Sequence, residues 1–488
     1  MSAHRADEPV PLRSAPGRWI ILATMLGSGV AFLDGSVVNV ALPAISRDIG
    51  GTFALLQWVL DAYLLTLSSL LLLGGALGDR YGRRRVFSVG LVLFTLASLG
   101  CGLASGGAEL ITARLVQGIG GALLVPGSLA LINASISQDD RGKAVGTWAG
   151  LTGIAAAIGP FVGGWLVDTA SWRWVFLINL PIAAIALLVT RRHVPETRDP
   201  DISGPPDLAG AAAVTLGLAG AVYALIEAPA HGWNPITVLA ALVGTAGLLA
   251  FPFIEARQSA PLLPLSLFRS RQFVGANLTT FTVYGALSSA LFLLSLQLQQ
   301  TLDYSATAAG LATLPITLVM LLLSSRMGAL AQRIGPRWPM TIGPLVCACG
   351  LVLMTRVTPG TSYPATVLPA VLIFGLGLSV TVAPLTSAVL ASVGREHGGV
   401  ASGVNNAISR VAGLLAVAVL PPLAGLSGLA AGQPLGQGYG TAMFISAGLC
   451  VAGAVTAAVG IENTCRVSPL PLPAVNHACQ DPCTRNAR

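Results

Sequence analysis

Three charged side chains lie inside long apolar stretches of this sequence, where ionised groups are costly. Asp34, Asp61 and Arg114 each fall within a run long enough to cross a bilayer as a helix. An arginine beside a carboxylate favours the charged form of the acid, whereas an apolar surrounding disfavours it. These residues predict a site that couples the binding of a proton to a conformational change.

The same three residues also allow a purely structural interpretation. Arg114 would then neutralise Asp34 or Asp61 in an ion pair that helps neighbouring helices to pack. Both interpretations require the arginine to approach at least one carboxylate. Counting from the ends of their apolar runs, we expect all three side chains in the outer half of the bilayer.

Other polar residues in apolar runs leave more than one role open. Glu227, near the end of its run, either joins the proton or substrate site or extends to interfacial water. Tyr284 lines a cavity or bonds between helices. Arg410 lies within a further run beside Asn405 and Asn406, and its role stays open.

The composition determines which elements position these side chains. Hydrophobic residues make up 54% of the 488 residues and charged residues only 10%, a balance far from that of a soluble domain. The net charge of +7 does not indicate nucleic-acid binding, because no polar domain with a clustered basic face remains outside the apolar runs. We expect membrane lipid, and no nucleic acid, to be a partner.

The apolar runs predict an all-α polytopic membrane protein with fourteen transmembrane helices. Each run is close to the ~20 residues that cross a bilayer. The predicted spans are 19–42, 53–74, 86–106, 110–132, 144–167, 174–190, 208–229, 236–254, 273–299, 308–326, 339–356, 364–390, 398–426 and 440–460.

The basic residues predict the orientation of these spans. If the chain starts in the cytoplasm, 22 of the 27 basic residues lie in cytoplasmic segments, three lie outside, and Arg114 and Arg410 lie within spans. Cytoplasmic loops retain an excess of Lys and Arg. Both termini are therefore predicted to be cytoplasmic, with the chain in the cell membrane and the first span uncleaved.

A ten-residue segment occurs twice, which indicates an internal duplication. Gly75–Arg84 resembles Gly328–Arg337, an offset of 328 − 75 = 253 positions. Each copy connects two predicted spans through a turn rich in glycine and arginine. This arrangement is typical of transporters built from two bundles of helices.

Small residues are concentrated in the fifth span. Its sequence Gly159-Pro160-Phe161-Val162-Gly163-Gly164 combines glycines, which permit close helix approach, with a proline that bends a helix. This sequence predicts that the fifth helix is pliable and packs tightly against neighbouring helices. Ordinary small-residue packing is the alternative.

The sequence contains no motif that indicates an enzyme or an ATP-driven pump. The five histidines are scattered over loops and tails, and no phosphate-binding loop is present. The seven cysteines predict no disulfide framework, and His477, Cys479 and Cys483 in the tail form a poor metal site. We therefore expect no catalytic residues, no metal and no cofactor.

Over residues 19–460 the chain resembles the fourteen-span drug:proton antiporter family of the major facilitator superfamily. The loop after the second span matches the family pattern through Gly75, Leu77, Gly78, Asp79, Arg80, Gly82, Arg83 and Arg84. The resemblance implies that Asp79 and the arginines form a cytoplasmic gate, which joins the two bundles in the outward-open state and releases them in the inward-open state.

Three further motifs support the resemblance. Leu33–Pro43 is similar to the first-span signature, with Asp34 as its acid, and Arg114–Gly120 is similar to the motif whose arginine is associated with proton coupling. Gly159, Pro160, Gly163 and Gly164 match the antiporter motif of exporters.

The resemblance implies a domain division and a function. The expected segments are 1–18 (cytoplasmic), 19–192 (amino-terminal six-helix bundle), 193–256 (linker and two inserted helices), 257–460 (carboxy-terminal bundle) and 461–488 (disordered tail). The expected function is proton-coupled efflux of small hydrophobic or cationic compounds by a monomer, with protons moving inward. The alternatives are a major facilitator transporter of an endogenous metabolite or lipid, and a membrane protein that transports nothing.

Overall fold

A computed structural model describes residues 9–199, 205–258, 261–394, 398–427, 429–430 and 432–463. Within these ranges the chain forms fourteen helices long and apolar enough to cross a membrane, which confirms the predicted fold class. Residues 1–8 and 464–488 lie outside the described residues, and with them the tail residues His477, Cys479 and Cys483.

The helices follow the predicted spans in order. They are α1 (Ala15–Ile49), α2 (Phe53–Tyr81), α3 (Arg83–Leu103), α4 (Gly107–Ser135), α5 (Gln138–Thr169), α6 (Trp174–His193), α7 (Leu208–His231), α8 (Pro235–Glu255), α9 (Arg271–Gln300), α10 (Ala306–Ile334), α11 (Arg337–Met354), α12 (Tyr363–Ala391), α13 (Gly398–Leu423) and α14 (Gly436–Gly460). The first turn of α6, Trp174–Leu177, is separate from its main part, Asn179–His193, and α12 begins with a π-helical turn.

Several helices continue beyond the apolar runs that predicted them. Helix α1 was expected to end near residue 42 but continues to Ile49, through Arg47 and Asp48. Charged residues can extend a helix once it leaves the hydrocarbon, because water then solvates their side chains. Asp34 consequently lies near the middle of α1.

The helices begin and end on two opposite sides of the molecule. We call the end that carries the connection from Tyr81 to Arg83 the loop side, and the other end the far side. Since successive helices run in opposite directions, α1 begins on the loop side and α14 ends there.

The packing divides the helices into two halves and an inserted pair. Helices α1–α6 pack mainly on one another, and so do α9–α14. Helix α7 packs across α2 and α13 through a cluster that includes Leu65, Leu218, Val222 and Leu414, whereas α8 packs on α7. The division into an amino-terminal bundle, an inserted pair and a carboxy-terminal bundle, with its residue bounds, stays a prediction.

Hydrogen bonds join the two halves on the far side. The Gln57 amide of α2 donates to the carbonyl of Val417 in α13 at 2.7 Å. The Gln299 amide of α9 donates to the carbonyl of Val40 in α1 at 3.0 Å. These side chains satisfy backbone carbonyls across the interface, so they hold the far-side ends of both halves together.

Helix α5 completes this far-side seal. Its Asp168 carboxylate accepts hydrogen bonds from the backbone N–H groups of Ala306 (3.1 Å) and Thr307 (2.8 Å) at the start of α10. A carboxylate at a helix N-terminus satisfies free N–H groups and complements the helix dipole. One turn earlier, a β-carbon on Gly164 would lie only 2.7 Å from the Cα of Thr307. The absence of a side chain at Gly164 therefore permits the contact.

The loop-side half of α5 has three glycines that no neighbouring residue contacts closely. A β-carbon added to Gly146, Gly150 or Gly153 would meet no atom within 4 Å. Helix α5 thus contacts α10 at its far-side end and is exposed at its loop-side end. We call the open space beside the loop-side part of α5 the cleft.

We predict that Gly164→Val opens the far-side seal, because its side chain would collide with the backbone of α10. Gly150→Val is the matched control, since it adds the same side chain to the same helix in open space. Labelling of Ser295→Cys by a water-soluble maleimide, in a cysteine-free background, reports the change: Ser295 is 3% exposed and bonds to the carbonyl of Asn39. We expect faster labelling with Gly164→Val only. Equal labelling in both folded variants would show that this contact does not maintain the seal.

Candidate functional site

A buried ion pair lies at the centre of the amino-terminal half. Arg114 of α4 donates through Nη1 to Oδ2 of Asp34 in α1, and both side chains are at most 1% exposed. The sequence predicted this approach of the arginine to a carboxylate. Since the pair is shielded from water, its two charges compensate each other directly.

Neutral side chains complete the shell around Asp34. The amides of Gln117 (2.9 Å) and Asn179 (3.0 Å) donate to the second carboxylate oxygen, Oδ1. Both amides also bond to the hydroxyl of Ser98 in α3, at 2.8 and 3.4 Å. The carboxylate therefore receives hydrogen bonds from α4 and α6, and α3 braces the donors.

Arg114 is held from several directions. Its Nε donates to the carbonyl of Val59 in α2 at 2.9 Å, and its Nη1 also donates to Gln117 Oε1 at 2.6 Å. The guanidinium lies 4.4 Å from the centre of the Tyr63 ring, a cation–π contact. A change in the charge of Asp34 would therefore alter the contacts of α2 and α4 as well as those of α1.

Sequence reasoning missed three members of this network. Ser98, Gln117 and Asn179 were not predicted to have a role, although all are fully buried. The spacing of Arg114 and Gln117 carried a usable signal, because residues three apart share a helix face. Nothing in the sequence indicated that Ser98 and Asn179 would meet there.

Asp61 does not join this pair. It is fully buried in α2, and neither of its carboxylate oxygens has a hydrogen-bond partner among the described residues. It lies one turn after Gln57, on the side of α2 that approaches α13. The structure thus separates two carboxylates that the sequence had grouped around Arg114.

Glu227 lies elsewhere. Its carboxylate accepts a hydrogen bond from the indole N–H of Trp58 in α2 at 2.6 Å and pairs with His231, one turn later in α7, at 2.8 Å. These bonds attach the inserted helix α7 to the amino-terminal half at the far side. The geometry places Glu227 at this attachment rather than beside Asp34.

The gate residues contact one another, α4 and the linker after α6. Arg83 pairs with Asp79 at 2.7 Å, and the backbone N–H of Arg84 donates to Glu196, beyond α6, at 3.0 Å. Gly82 has a φ of 108°, a conformation that other residues rarely adopt. Gly75 faces Pro126 of α4, and Arg80 lies over the Tyr81 ring.

The glycines of the fifth helix contact two partners. A β-carbon on Gly159 would lie against Ser36, and one on Gly163 would lie 3.0 Å from the carbonyl of Val37, both in α1. The carbonyl of Pro160 faces Gly310 of α10, the helix that also receives Gly164. The motif therefore packs α5 between α1 of its own half and α10 of the other.

These features define a multi-pass membrane protein built from two helical halves, with an ion pair buried inside one of them. The model of the Major Facilitator Superfamily matches residues 24–417. The chain belongs to this superfamily. A POT family transporter crystallised with 5-aminolevulinic acid has a similar fold, with a TM-score of 0.70 and 14% identity over 92% of this chain and 98% of that one.

Curated relatives share more of the sequence. The puromycin resistance protein pur8 of Streptomyces alboniger is 36% identical, over 93% of this chain and 94% of its own length. The methylenomycin A resistance protein of Bacillus subtilis is 35% identical, over 83% and 87% respectively. The predicted resemblance to drug antiporters of this superfamily is thereby confirmed.

The two buried acids are expected to respond differently to loss of their charge. Asp34→Asn would leave Arg114 as a buried and unpaired charge, and breaking such a pair costs about 3–5 kcal/mol of folding stability. Asp61→Asn removes a carboxylate that has no partner here, so we expect little loss or a gain. Thermal unfolding of both purified variants measures the difference. Equal destabilisation would contradict the separation of Asp61 from the ion pair.

Proposed function

We propose that this chain is a secondary exporter in the cell membrane, which expels antibiotic or other drug-like compounds in exchange for protons. The names of the relatives, which describe resistance to puromycin and methylenomycin A, support export. Proton coupling is supported by the motifs shared with drug:proton antiporters, which are residues 75–84, Asp34, Arg114 and the α5 glycines. The process involves no covalent chemistry and no cofactor.

The buried Asp34–Arg114 pair is the observation on which the coupling proposal depends. While Asp34 is ionised, its charge balances that of Arg114, and the network of α1, α3, α4 and α6 is satisfied. A proton on Asp34 would remove that balance and leave Arg114 uncompensated in a dry site. A rearrangement that admits water or another anion would then become favourable, so proton uptake biases the transporter between two conformations.

The orientation follows from the distribution of basic residues. We assign the loop side, which carries most arginines, to the cytoplasm, with both termini there. The cleft would then face the cytoplasm, and the far-side seal would close the route to the exterior. On this assignment the described conformation is inward-open and ready to take up a compound from the cytoplasm or the inner leaflet.

The gate contacts fit this assignment. Asp79 and Arg83 bind each other, and Arg84 binds Glu196 in the linker after α6, so these bonds do not involve the carboxy-terminal half. In the outward-open state we expect the loop to engage the carboxy-terminal half instead. The α5 glycines would part from α10 in the same movement, because Gly164 and Asp168 contact it only while the far side is closed.

Transport by proteoliposomes tests the proposal. We would impose a proton gradient and follow puromycin, methylenomycin A and a set of lipophilic dyes. The wild-type chain is expected to move at least one compound against its concentration gradient, and Asp34→Asn is expected to abolish gradient-driven movement. Collapse of the gradient by a protonophore should have the same effect on the wild type.

A double variant distinguishes a functional pair from a structural one. Asp34→Asn combined with Arg114→Gln removes both charges, so we expect it to recover much of the stability that Asp34→Asn loses. Gradient-driven transport should nevertheless remain absent. If the stable double variant pumped normally, the pair would be structural. If no compound moved with the wild type, an endogenous metabolite or lipid would become the better candidate for the cargo.

A further inference from the structure

Arg410 is a second basic side chain in the membrane interior, and it lies where the two halves meet. It is close to the middle of α13, and its guanidinium Cζ lies 5.5 Å from the centre of the Phe32 ring in α1. Asn405 of α13 bonds to Thr280 of α9 at 2.7 Å, and Tyr284 lies one turn further along α9. Since these helices belong to both halves, Arg410 faces the interface between them rather than lipid.

No carboxylate in the described part of the carboxy-terminal half balances this charge. The acidic residues between 271 and 463 are Asp303, Glu396 and Glu462. Asp303 and Glu462 lie outside the helices, and Glu396 lies outside the described ranges. The helices that surround Arg410 in this half therefore contribute no negative charge.

The described residues of the amino-terminal half form no ion pair and no hydrogen bond with Arg410 either. Asp34 is engaged by Arg114 and two amides. Asp61 has no hydrogen-bond partner among the described residues, so it does not bond to Arg410. A guanidinium at this depth is costly without a counter-charge, and the ring of Phe32 compensates it only in part.

The side chain is oriented but not saturated. Its Nε donates to Asn406 Oδ1 at 3.1 Å, and this is the hydrogen bond that the described residues give it. A guanidinium has five N–H donors in a planar fork. The terminal amino groups thus remain free to bind a planar anionic group in a bidentate manner.

Neighbouring polar residues hold this part of α13 in place. The Asn405 amide donates to Asn277 Oδ1 at 3.0 Å and to the Thr280 hydroxyl at 2.7 Å, both in α9. These bonds fix α13 against α9 five residues before Arg410. A ligand would therefore meet a positioned arginine rather than a mobile one.

We propose that Arg410 anchors an anionic, aromatic compound, whose carboxylate, sulfonate or phenolate pairs with the guanidinium while its rings pack on Phe32 and Tyr284. The inference deepens the proposed export function and rests on it. It also favours an acidic cargo, whereas the expected cargo was a hydrophobic or cationic compound. The physical reason is that an acidic ligand supplies the charge that the described residues around Arg410 do not.

A structural role for Arg410 makes a different prediction. If the arginine only links the halves through its contact with Phe32, its loss would weaken the binding of every ligand alike. If it anchors an anion, the loss depends on the charge of the ligand. Two ligands with the same ring skeleton and opposite charge therefore separate the two roles.

Fluorescein, an anion at neutral pH, and rhodamine 123, a cation, share a xanthene skeleton and serve as the probes. Their binding to the purified full-length chain in nanodiscs is measured by fluorescence anisotropy. We expect fluorescein to bind about tenfold or more tightly than rhodamine 123, and Arg410→Gln to weaken fluorescein binding by about tenfold or more, as for a lost charge-assisted hydrogen bond. Rhodamine 123 binding should stay unchanged or strengthen.

Two further variants control the measurement. Arg410→Lys keeps the positive charge but loses the planar fork of N–H donors. It should therefore retain part of the preference for fluorescein. Arg356→Gln removes an equal charge from an exposed position after α11 and should change neither affinity. Unfolding temperatures of all variants establish that the compared proteins are folded.

The outcomes decide between the inferences. Equal losses for both dyes with Arg410→Gln, tighter binding of rhodamine 123 by the wild type, or no binding of fluorescein would each overturn the anion proposal. Gradient-driven transport of rhodamine 123 in any of these cases would leave the export function standing. Conversely, Arg410-dependent binding of fluorescein without proton-driven transport of any compound would retain the anion site and reject the export function.

Discussion

Compensation of charge in a medium that cannot solvate it is the constraint on which the rest of this structure depends. A guanidinium or carboxylate within the bilayer needs a partner, and the amino-terminal half provides one by bringing Arg114 to Asp34. Helices α1, α3, α4 and α6 must meet at one point to complete that pair with Gln117 and Asn179. The packing of this half is consequently tied to a single buried network.

The carboxy-terminal half solves the same problem differently. Its helices carry no buried carboxylate among the described residues, and Arg410 faces the interface between the halves with an amide and an aromatic ring for neighbours. The amino-terminal half thus holds a neutral ion pair as well as the unpartnered carboxyl group of Asp61, whereas Arg410 of the other half has no counter-ion among the described residues. On the two proposals, protons act on the first half and the cargo binds near the second.

Conformational change requires the interface between the halves to be easily broken and remade. The far-side seal consists of side chains that bond to backbone groups, such as Gln57 to Val417, and of close contacts at glycines, such as Gly164. Water can replace each of these hydrogen bonds when the contacts separate, including those that the carboxylate of Asp168 accepts. The ion pairs near the loop, including Asp79 with Arg83, lie within one half and survive the separation.

The sequence alone determined the number, order and class of the helices, because an apolar run of membrane length has few alternatives to a helix. It also singled out Asp34 and Arg114, since charge is rare in such runs. Only the tertiary structure decided which charges meet. Residues distant in sequence, such as Asn179, converge on Asp34 while Asp61 stays apart, because helix rotation and packing set these distances and neither is encoded in local pattern.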